Sequence, residues 1–438
     1  MDKIIRKEYL RISFVLASPL IIGSGKNEMT DNDIVLNGDG RPYIPATAVS
    51  GVVRSILDPE KKDSYFGKVP GYKEAKYERI KESMLVFYDA NIAGTTKFRI
   101  SKRDFVALDK YKTAMSGAKF DMQILEPGIK FNTYVEQNYT EAMQEDYLSE
   151  IAAVWYSGRV MFGAKTMRGF GEIKDVTIVK KGFDLSDKAE VSSWLEYSMY
   201  EPDFWNDADP VSPESLQNTD TNITKICLGL DIISAMSIRQ YTTEPTPEGA
   251  DVAKPDYKQM SVYIGSKEVP VIPGSSWAGA FKNEMMKLLP HIDLSYFGDV
   301  KDDTKWKSHI KFSESQIKGS VPVIITRNAI DRFSGGTIKG ALYTEKTRYG
   351  GHTELTISLL DKKECADSKN DKTIARREEF NNTLAAAIAD LHEGLIAVGG
   401  LTSVGRGIFR VTSVNGEEFS GNGEALYTKI KDLIGGEQ

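Results

Sequence analysis

The chain is 438 residues long, 41% hydrophobic and 27% charged, with a formal net charge of −6 at pH 7. That length suits two or three domains, each with its own core, and the acidic balance excludes a protein that is basic overall, so nucleic-acid binding would rest on local basic strips. Two cysteines, Cys227 and Cys365, give neither a metal spacing nor a disulfide framework, and neither the opening MDKIIRKEYLRISF nor any later run is apolar enough for a leader or a membrane span, so a cytoplasmic protein with no membrane partner is expected.

Residues 11–19 alternate apolar and polar positions as a half-buried strand does. Pro45 opens a helix whose Val49, Val52, Val53 and Leu57 share one face. Residues 83–92 read as a strand, and so do 129–138 after the Pro127-Gly128 turn. Thr140 is the expected N-cap of a helix to about Ser157, with Tyr147, Leu148, Ile151, Val154 and Trp155 as its stripe and Gly158 at its end. A strand over 171–181 completes a strand-helix-strand-strand-helix-strand order, the ferredoxin-like plan. The plan recurs. A strand at 225–234 precedes a helix at 275–289 capped by Ser275, strands at 309–317 and 352–360, a helix with Phe380, Leu384, Ile388 and Leu391 on one face, and a strand at 407–414. The expected class is α+β, two tandem ferredoxin-like (RRM-like palm) domains at 1–182 and 225–438. A helix and polar linker fill 183–224, and the stretch 206–222 lacks apolar period.

Local matches say that the two halves are copies. SYFG stands at 64–67 and again at 295–298. RPYIPATAVSGVVR (41–54) and VPVIPGSSWAGAFK (269–282) share Pro42/Pro270, Ile44/Ile272, Pro45/Pro273 and Gly51/Gly279, with Arg54 opposite Lys282. Gly163, Thr166, Gly169 and Gly171 repeat as Gly399, Thr402, Gly405 and Gly407 at the same spacing. Between these, 108–121 and 330–344 share an Asp, then a Gly followed by Ala, one residue and an aromatic. Four collinear matches with a slowly drifting offset mark two divergent copies of one module.

The glycine loop lets backbone approach a ligand closely and directs several N–H groups into one concavity, which suits phosphate; a tight turn before the last strand is the structural alternative. Lys165, Arg168 and Arg406 in these loops favour a phosphate-backbone contact. No Gly-Lys-Ser/Thr follows, which excludes a Walker loop, and a strand follows rather than a helix, which excludes a dinucleotide fingerprint. The helix after Pro273 offers Ser275 and Ser276 to an anion, with ordinary capping as the alternative. Gly51 and Gly279 read as positions of close helix-to-sheet packing.

Together with SPLIIGSG at the end of the first strand, this ordered set resembles the RAMP superfamily of CRISPR proteins. It is most similar to the backbone subunits of type III effector complexes, two of them fused, over about 10–175 and 225–412. The resemblance implies palms that hold guide RNA (crRNA), with Ser24, Arg54, Lys165, Thr166, Arg168 and Gly169 as candidates in the first copy. In the second they are Arg239, Ser275, Ser276, Lys282, Thr402 and Arg406. It implies inserted thumb hairpins near 104–130 and 327–350, carrying Asp109, Asp331 and Arg332, that kink guide and target. It also implies an Asp in the loop after the first strand that supports metal-dependent cleavage of target RNA. Alignment on the proline motif places Asp31 there, with Asp33 as its neighbour; the carboxylate would hold Mg²⁺ or another divalent ion, or orient a 2′-hydroxyl for attack on the adjacent phosphate. Solvated turn residues are the alternative.

Copy one departs from the family in reading IPATA, without the usual Gly after Pro, which weakens its anion contact. In copy two the same alignment sets Gln259 opposite Asp31, while a longer loop offers Asp251 and Asp256 in an open register, so this copy binds without cutting or cuts with Asp256. The implied partners are target RNA, other RAMP-type backbone subunits, and the large and small subunits of an antiviral effector complex. Three other functions stand beside this one: an inert structural subunit, a stand-alone endoribonuclease that processes guide precursors, and a ferredoxin-like protein that binds no RNA. Precursor-processing enzymes often use a His. The four here, His291, His309, His352 and His392, all fall in the second copy, and His309 and His352 lie in expected strands.

Overall fold

Alternation along Ile4–Leu16 (β1) organises the first half, with Leu10, Ile12, Phe14 and Leu16 all buried on one side. The computed structural model describes residues 3–25, 30–67, 83–108, 113–196, 198–216, 223–241, 255–301, 304–306, 308–360 and 371–435. Two compact units emerge: residues 1–105, 120–166 and 170–221 form the first, and 106–119, 167–169 and 222–438 the second.

In the first unit β1 lies between Lys130–Thr140 and Ile173–Asp184, antiparallel to both, and Ala90–Ile92 pairs on the far side of Lys130–Thr140. With strands numbered by their place in the motif, this is the 4-1-3-2 order of a ferredoxin-like sheet. Helices Ala46–Ile56 (α1) and Leu148–Tyr156 cover one face, setting Val49, Val53, Ile151 and Trp155 against Phe14, Phe131 and Phe162. The other face carries a second cluster of Tyr9, Tyr134, Phe183, Phe204 and Trp205. The segment expected to be a helix and linker, 183–224, contributes here: Pro202–Trp205 is a 3-10 turn, and Asp209–Val211 adds an edge strand to Ile173–Asp184.

The second unit repeats the order, with Ile310–Phe312, His352–Leu360, Ile223–Ile232 and Phe409–Val414 side by side and antiparallel. Gly274–Leu288 and Asp371–His392 are its helices, and Trp277, Phe281, Phe312, Phe380 and Phe409 fill its core. A closing helix at Gly423–Gly435, absent from the expected plan, buries Leu426, Ile430 and Ile434 in the same core.

The repeated SYFG is a packing device. Its tyrosines lie against aromatics in or just before the second motif helix, Tyr65 on Tyr147 and Tyr296 on Phe380, with ring centroids 4.1 and 4.2 Å apart. Its glycines end the preceding turn at positive φ, Gly67 at 71° and Gly298 at 83°.

Three local expectations need correction. Thr140 ends a strand, and the helix after it is capped by the Asp146 carboxylate, which accepts from the amides of Leu148 at 2.9 Å and Ser149 at 3.2 Å. Ser275 lies inside the first turn of a helix whose N-cap is Pro273, with no side-chain capping bond. Gly51 and Gly279 sit on exposed helix faces where an added Cβ would meet nothing within 4 Å, so they are not sites of close packing.

Each copy carries a long hairpin in addition to its palm sheet, Ile100–Leu108 with Ala114–Leu125 in the first and Val321–Ile330 with Thr337–Tyr349 in the second. The second turns at Asp331, whose carboxylate accepts from the amides of Phe333 and Ser334. Near this turn Ile330, Phe333, Ile338 and Leu342 are exposed, Phe333 completely.

Trp277 is fully buried, and its indole N–H donates to Ser315 Oγ at 3.1 Å. Trp277→Ala should destabilise the second unit by about 3–5 kcal/mol, read as a lowered denaturant midpoint of that unit's transition.

Candidate nucleic-acid interface

The glycine loop is built alike in the two copies, down to its dihedral angles. Gly163 and Gly399 have φ of 78° and 100°, Lys165 and Leu401 stand at 59° and 58°, and Gly169 and Gly405 at 80° and 81°. Lys165 and Leu401 are thus side-chain-bearing residues held in the left-handed region, a conformation that costs energy and persists only where its surroundings fix it. What fixes it is the segment that follows each first strand. The amides of Ala164 and Gly171 donate to Ile21 and Pro19 carbonyls, both at 2.8 Å, and those of Gly400 and Gly407 donate to Ser237 at 2.8 Å and Ala235 at 2.9 Å. Ser18 Oγ accepts from the Glu172 amide at 3.0 Å, and Ser234 Oγ from the Ile408 amide at 3.1 Å. A Cβ on Gly171 or Gly407 would collide with the Phe162 or Val398 carbonyl. These four amides do not face a ligand concavity. The turn-before-strand reading accounts for most of the glycine pattern.

Side chains from the loop turn to the hairpins. The Lys165 ammonium lies 4.7 Å from the centroids of both Phe105 and Phe120, whose rings stack at 5.3 Å. Arg406 is 8% exposed and donates to Glu345 at 2.5 Å. Glu345, itself 1% exposed, also accepts from Arg327 and from Ser237 Oγ. One buried carboxylate between two guanidiniums ties hairpin to loop, a geometry in which loss of the acid would leave uncompensated charge. Arg168 belongs to the second unit; burial depresses its pKa, and Nη2 donates to the Phe297 carbonyl at 3.0 Å. Gly169 is buried beside it, and Thr166 and Thr402 each open a 3-10 turn at the loop tip.

The remaining expected contacts are more open. Arg54 is exposed on α1, 5.7 Å from the Phe66 ring centroid, and Arg239 lies 4.6 Å from that of Tyr257. Ser275 is exposed, and Ser276 and Lys282 are partly so. Copy one fills its own helix terminus, because Asp89 Oδ1 accepts from the Ala46 amide at 2.6 Å. Arg332 is exposed at the second hairpin tip, while Asp109 and Asp251 lie outside the described residues.

The candidate carboxylates occupy equivalent places. The Asp31 amide donates to the Asp121 carbonyl at 3.2 Å, and the Asp121 amide donates back to Asp31 Oδ2 at 3.2 Å. In copy two the Asp256 amide donates to the Thr344 carbonyl at 2.8 Å, and the Thr344 amide returns to Asp256 Oδ2 at 2.8 Å. Independently, Gly23 pairs with Ile34 and Arg239 with Gln259, so Gln259 is the counterpart of Ile34. The proline-motif alignment therefore slips by three residues here, and Asp256 takes the place it assigned to Gln259. Both Asp31 and Asp256 are exposed. Asp33 is 9% exposed and accepts from Thr30, while the Ser24 hydroxyl donates to its carbonyl at 3.3 Å, so it is built into the loop. Sequence reasoning overlooked Asp121 and Thr344, yet each directly follows the shared Gly-Ala-x-aromatic match, at Gly117–Phe120 and Gly340–Tyr343.

Among the described residues no three His, Cys, Asp or Glu side chains gather as a metal cage. The donors do suit a hard ion such as Mg²⁺, which often takes one or two carboxylates and completes its shell with water and substrate phosphate. No described helix is long and apolar enough to cross a membrane.

The family model for the RAMP superfamily matches residues 13–174 and again 230–410, more than half the chain, and the chain belongs to that superfamily. No curated protein matches it. Among solved structures, a chain of the "Type III-B Cmr-beta bound to cognate target RNA" is similar at 16% identity and a TM-score of 0.31, over 40% of this chain and 61% of that one, a likeness too loose to carry an argument.

The glycine geometry gives a graded test. Gly405→Ala meets open space and should cost only the left-handed backbone penalty, about 1–2 kcal/mol. Gly407→Ala adds a collision with backbone, so its thermal midpoint should fall below that of Gly405→Ala.

Proposed function

We propose that this chain is a tandem backbone subunit of a type III CRISPR RNA-guided effector complex, which binds guide RNA and cleaves complementary target RNA once per copy. The observation that carries the cleavage reading is the equivalence of Asp31 and Asp256: exposed carboxylates, each tied by the same pair of backbone hydrogen bonds to the second strand of its hairpin. Membership of the RAMP superfamily supports RNA as the ligand.

Under this reading the palms follow the guide's backbone, and sequence is supplied by pairing, as in other RNA-guided systems. Arg54, Arg239, Arg332 and Lys282 are the more open cations for the backbone, while Arg406 braces the glycine loop. Asp31 or Asp256 accepts the proton of a target 2′-hydroxyl as its oxygen attacks the adjacent phosphorus and the 5′-oxygen leaves. A divalent ion held by the same carboxylate would stabilise charge on the phosphate. Partners are crRNA, target RNA, neighbouring RAMP-type subunits and the large and small subunits.

Co-purification with a guide array and neighbouring subunits, followed by sequencing of bound RNA, tests the scaffold: short RNA of fixed length with a constant repeat-derived end is expected. In the loaded complex Asp31→Asn should abolish one of two cuts in the target and Asp256→Asn the other, at least a hundredfold each, with target affinity unchanged. Both cuts surviving would mean that neither Asp31 nor Asp256 is catalytic. Binding should weaken steeply with salt, as phosphate tracking requires.

A further inference from the structure

In the hairpin strand Thr337–Tyr349 the buried residues are Glu345 and Thr347. Glu345 directly follows Thr344, whose amide and carbonyl hold Asp256, and Tyr257 pairs with Glu345 itself in parallel register. The Thr347 hydroxyl donates to the Met236 carbonyl. The Glu345 carboxylate accepts from Arg406 of the glycine loop at 2.5 Å, from Ser237 Oγ at 3.4 Å, and from Arg327 of the other hairpin strand. These two side chains seat on the palm the strand that holds Asp256.

Copy one fills the same positions with other chemistry. Leu20 bridges Leu125 as Met236 pairs with Arg348, and Asp121 takes the place of Thr344, so Met122 and Ile124 stand where Glu345 and Thr347 do. On the other hairpin strand the Glu126 amide donates to the Arg99 carbonyl as Tyr349 pairs with Val321, which sets Phe105 in the place of Arg327. Glycine-loop spacing sets Phe170 opposite Arg406, and the loop's amide partners set Ile21 opposite Ser237. Ile21, Ile124 and Phe170 form a buried cluster with Phe105 and Met122 packed against it. Each of these positions is apolar in copy one and hydrogen-bonded in copy two. Arg103 lies 5.2 Å from the Phe170 ring centroid, so copy one sets a cation on a ring where copy two pairs cations with an acid.

Either set is consistent only as a whole. A carboxylate between two guanidiniums tolerates burial while all three are present, and well-packed apolar residues of similar volume can replace such a triad together. Removing the acid alone leaves two buried guanidiniums facing one another. We propose that Glu345, acting through Arg327 and Arg406, is a positioning residue for Asp256, and that Phe105, Met122 and Phe170 give Asp31 the same seat by packing. The effect on cutting rests on the assignment of Asp256 to cleavage; the seating of its loop does not.

In the guide-loaded complex Glu345→Gln should slow the cut assigned to Asp256 about tenfold at saturating target, as small misplacements of a reacting group do, with target affinity and the other cut unchanged. The triple variant Arg327→Phe, Glu345→Met, Arg406→Phe gives copy two the side chains of Phe105, Met122 and Phe170. It should return that cut to within about threefold of the parent rate. Hydrogen exchange reads the loop without cleavage. The peptide carrying the Asp256 amide should exchange several-fold faster in Glu345→Gln and recover in the triple variant, while the palm strand Ile223–Ile232 keeps its protection. Arg327 is partly exposed, so Arg327→Met spares the core and should speed the same peptide to a smaller degree. An Asp256 peptide unchanged in both Glu345→Gln and Arg327→Met, or a palm strand that loosens equally with it, would overturn the proposal. So would a triple variant that folds and cuts no faster than Glu345→Gln. If Asp256→Asn leaves its cut intact while exchange follows the cluster, the cleavage assignment fails and the positioning role stands.

Discussion

Everything near the candidate sites depends on one steric constraint, the approach of the glycine loop to the chain leaving the first strand. Backbone meets backbone there: the Ile21 and Ser237 carbonyls occupy space that a Cβ on Gly163 or Gly399 would need. That contact sets the last strand beside the first and fixes the loop's unusual dihedrals. It also aims Lys165 at the Phe105–Phe120 stack and Arg406 at Glu345. The hairpins are thereby anchored to the palms, and the hairpins in turn hold Asp31 and Asp256.

The two copies reach this arrangement with different chemistry. Copy one braces its hairpin through an ammonium between two rings; copy two uses a buried carboxylate shared by two arginines. An aromatic clamp tolerates salt and small shifts, whereas the ion cluster is directional and exacts a desolvation cost that its hydrogen bonds must offset. Conservation of backbone geometry with divergence of side chains is what a duplicated scaffold yields when its halves diverge under one structural constraint.

The palms were legible in the sequence because their signals are periodic. Alternation through Phe14 and Leu16, the stripe of Ile151 and Trp155, and the recurrence of Gly171 as Gly407 survive in any context that preserves a two-sided sheet. Errors arose where geometry is decided by a few residues. Asp146 outcompeted Thr140 as a cap because the strand ran farther than its turn residues suggest. The aromatic cluster with Phe204 and Trp205 draws the stretch to 211 onto the sheet, although that stretch is polar in composition. The register of the Asp256 loop was unreadable from the proline motif, since a three-residue slip leaves no trace in composition; the hairpin match ending at Thr344 held the information. In the glycine loop the pattern records backbone crowding, the turn-before-strand alternative, because its amides are spent on the chain after the first strand.

The second hairpin bears on handling as well as on function. Ile330, Phe333, Ile338 and Leu342 leave apolar area on a two-stranded ribbon whose tip is held rigid by the Asp331 turn. A pre-shaped ribbon pays little ordering entropy when it is covered, and pays it for any apolar surface it meets, wanted or not. The free polypeptide should therefore be colloidally fragile despite its net negative charge, and its soluble yield should be governed by this hairpin more than by the thermodynamic stability of either core.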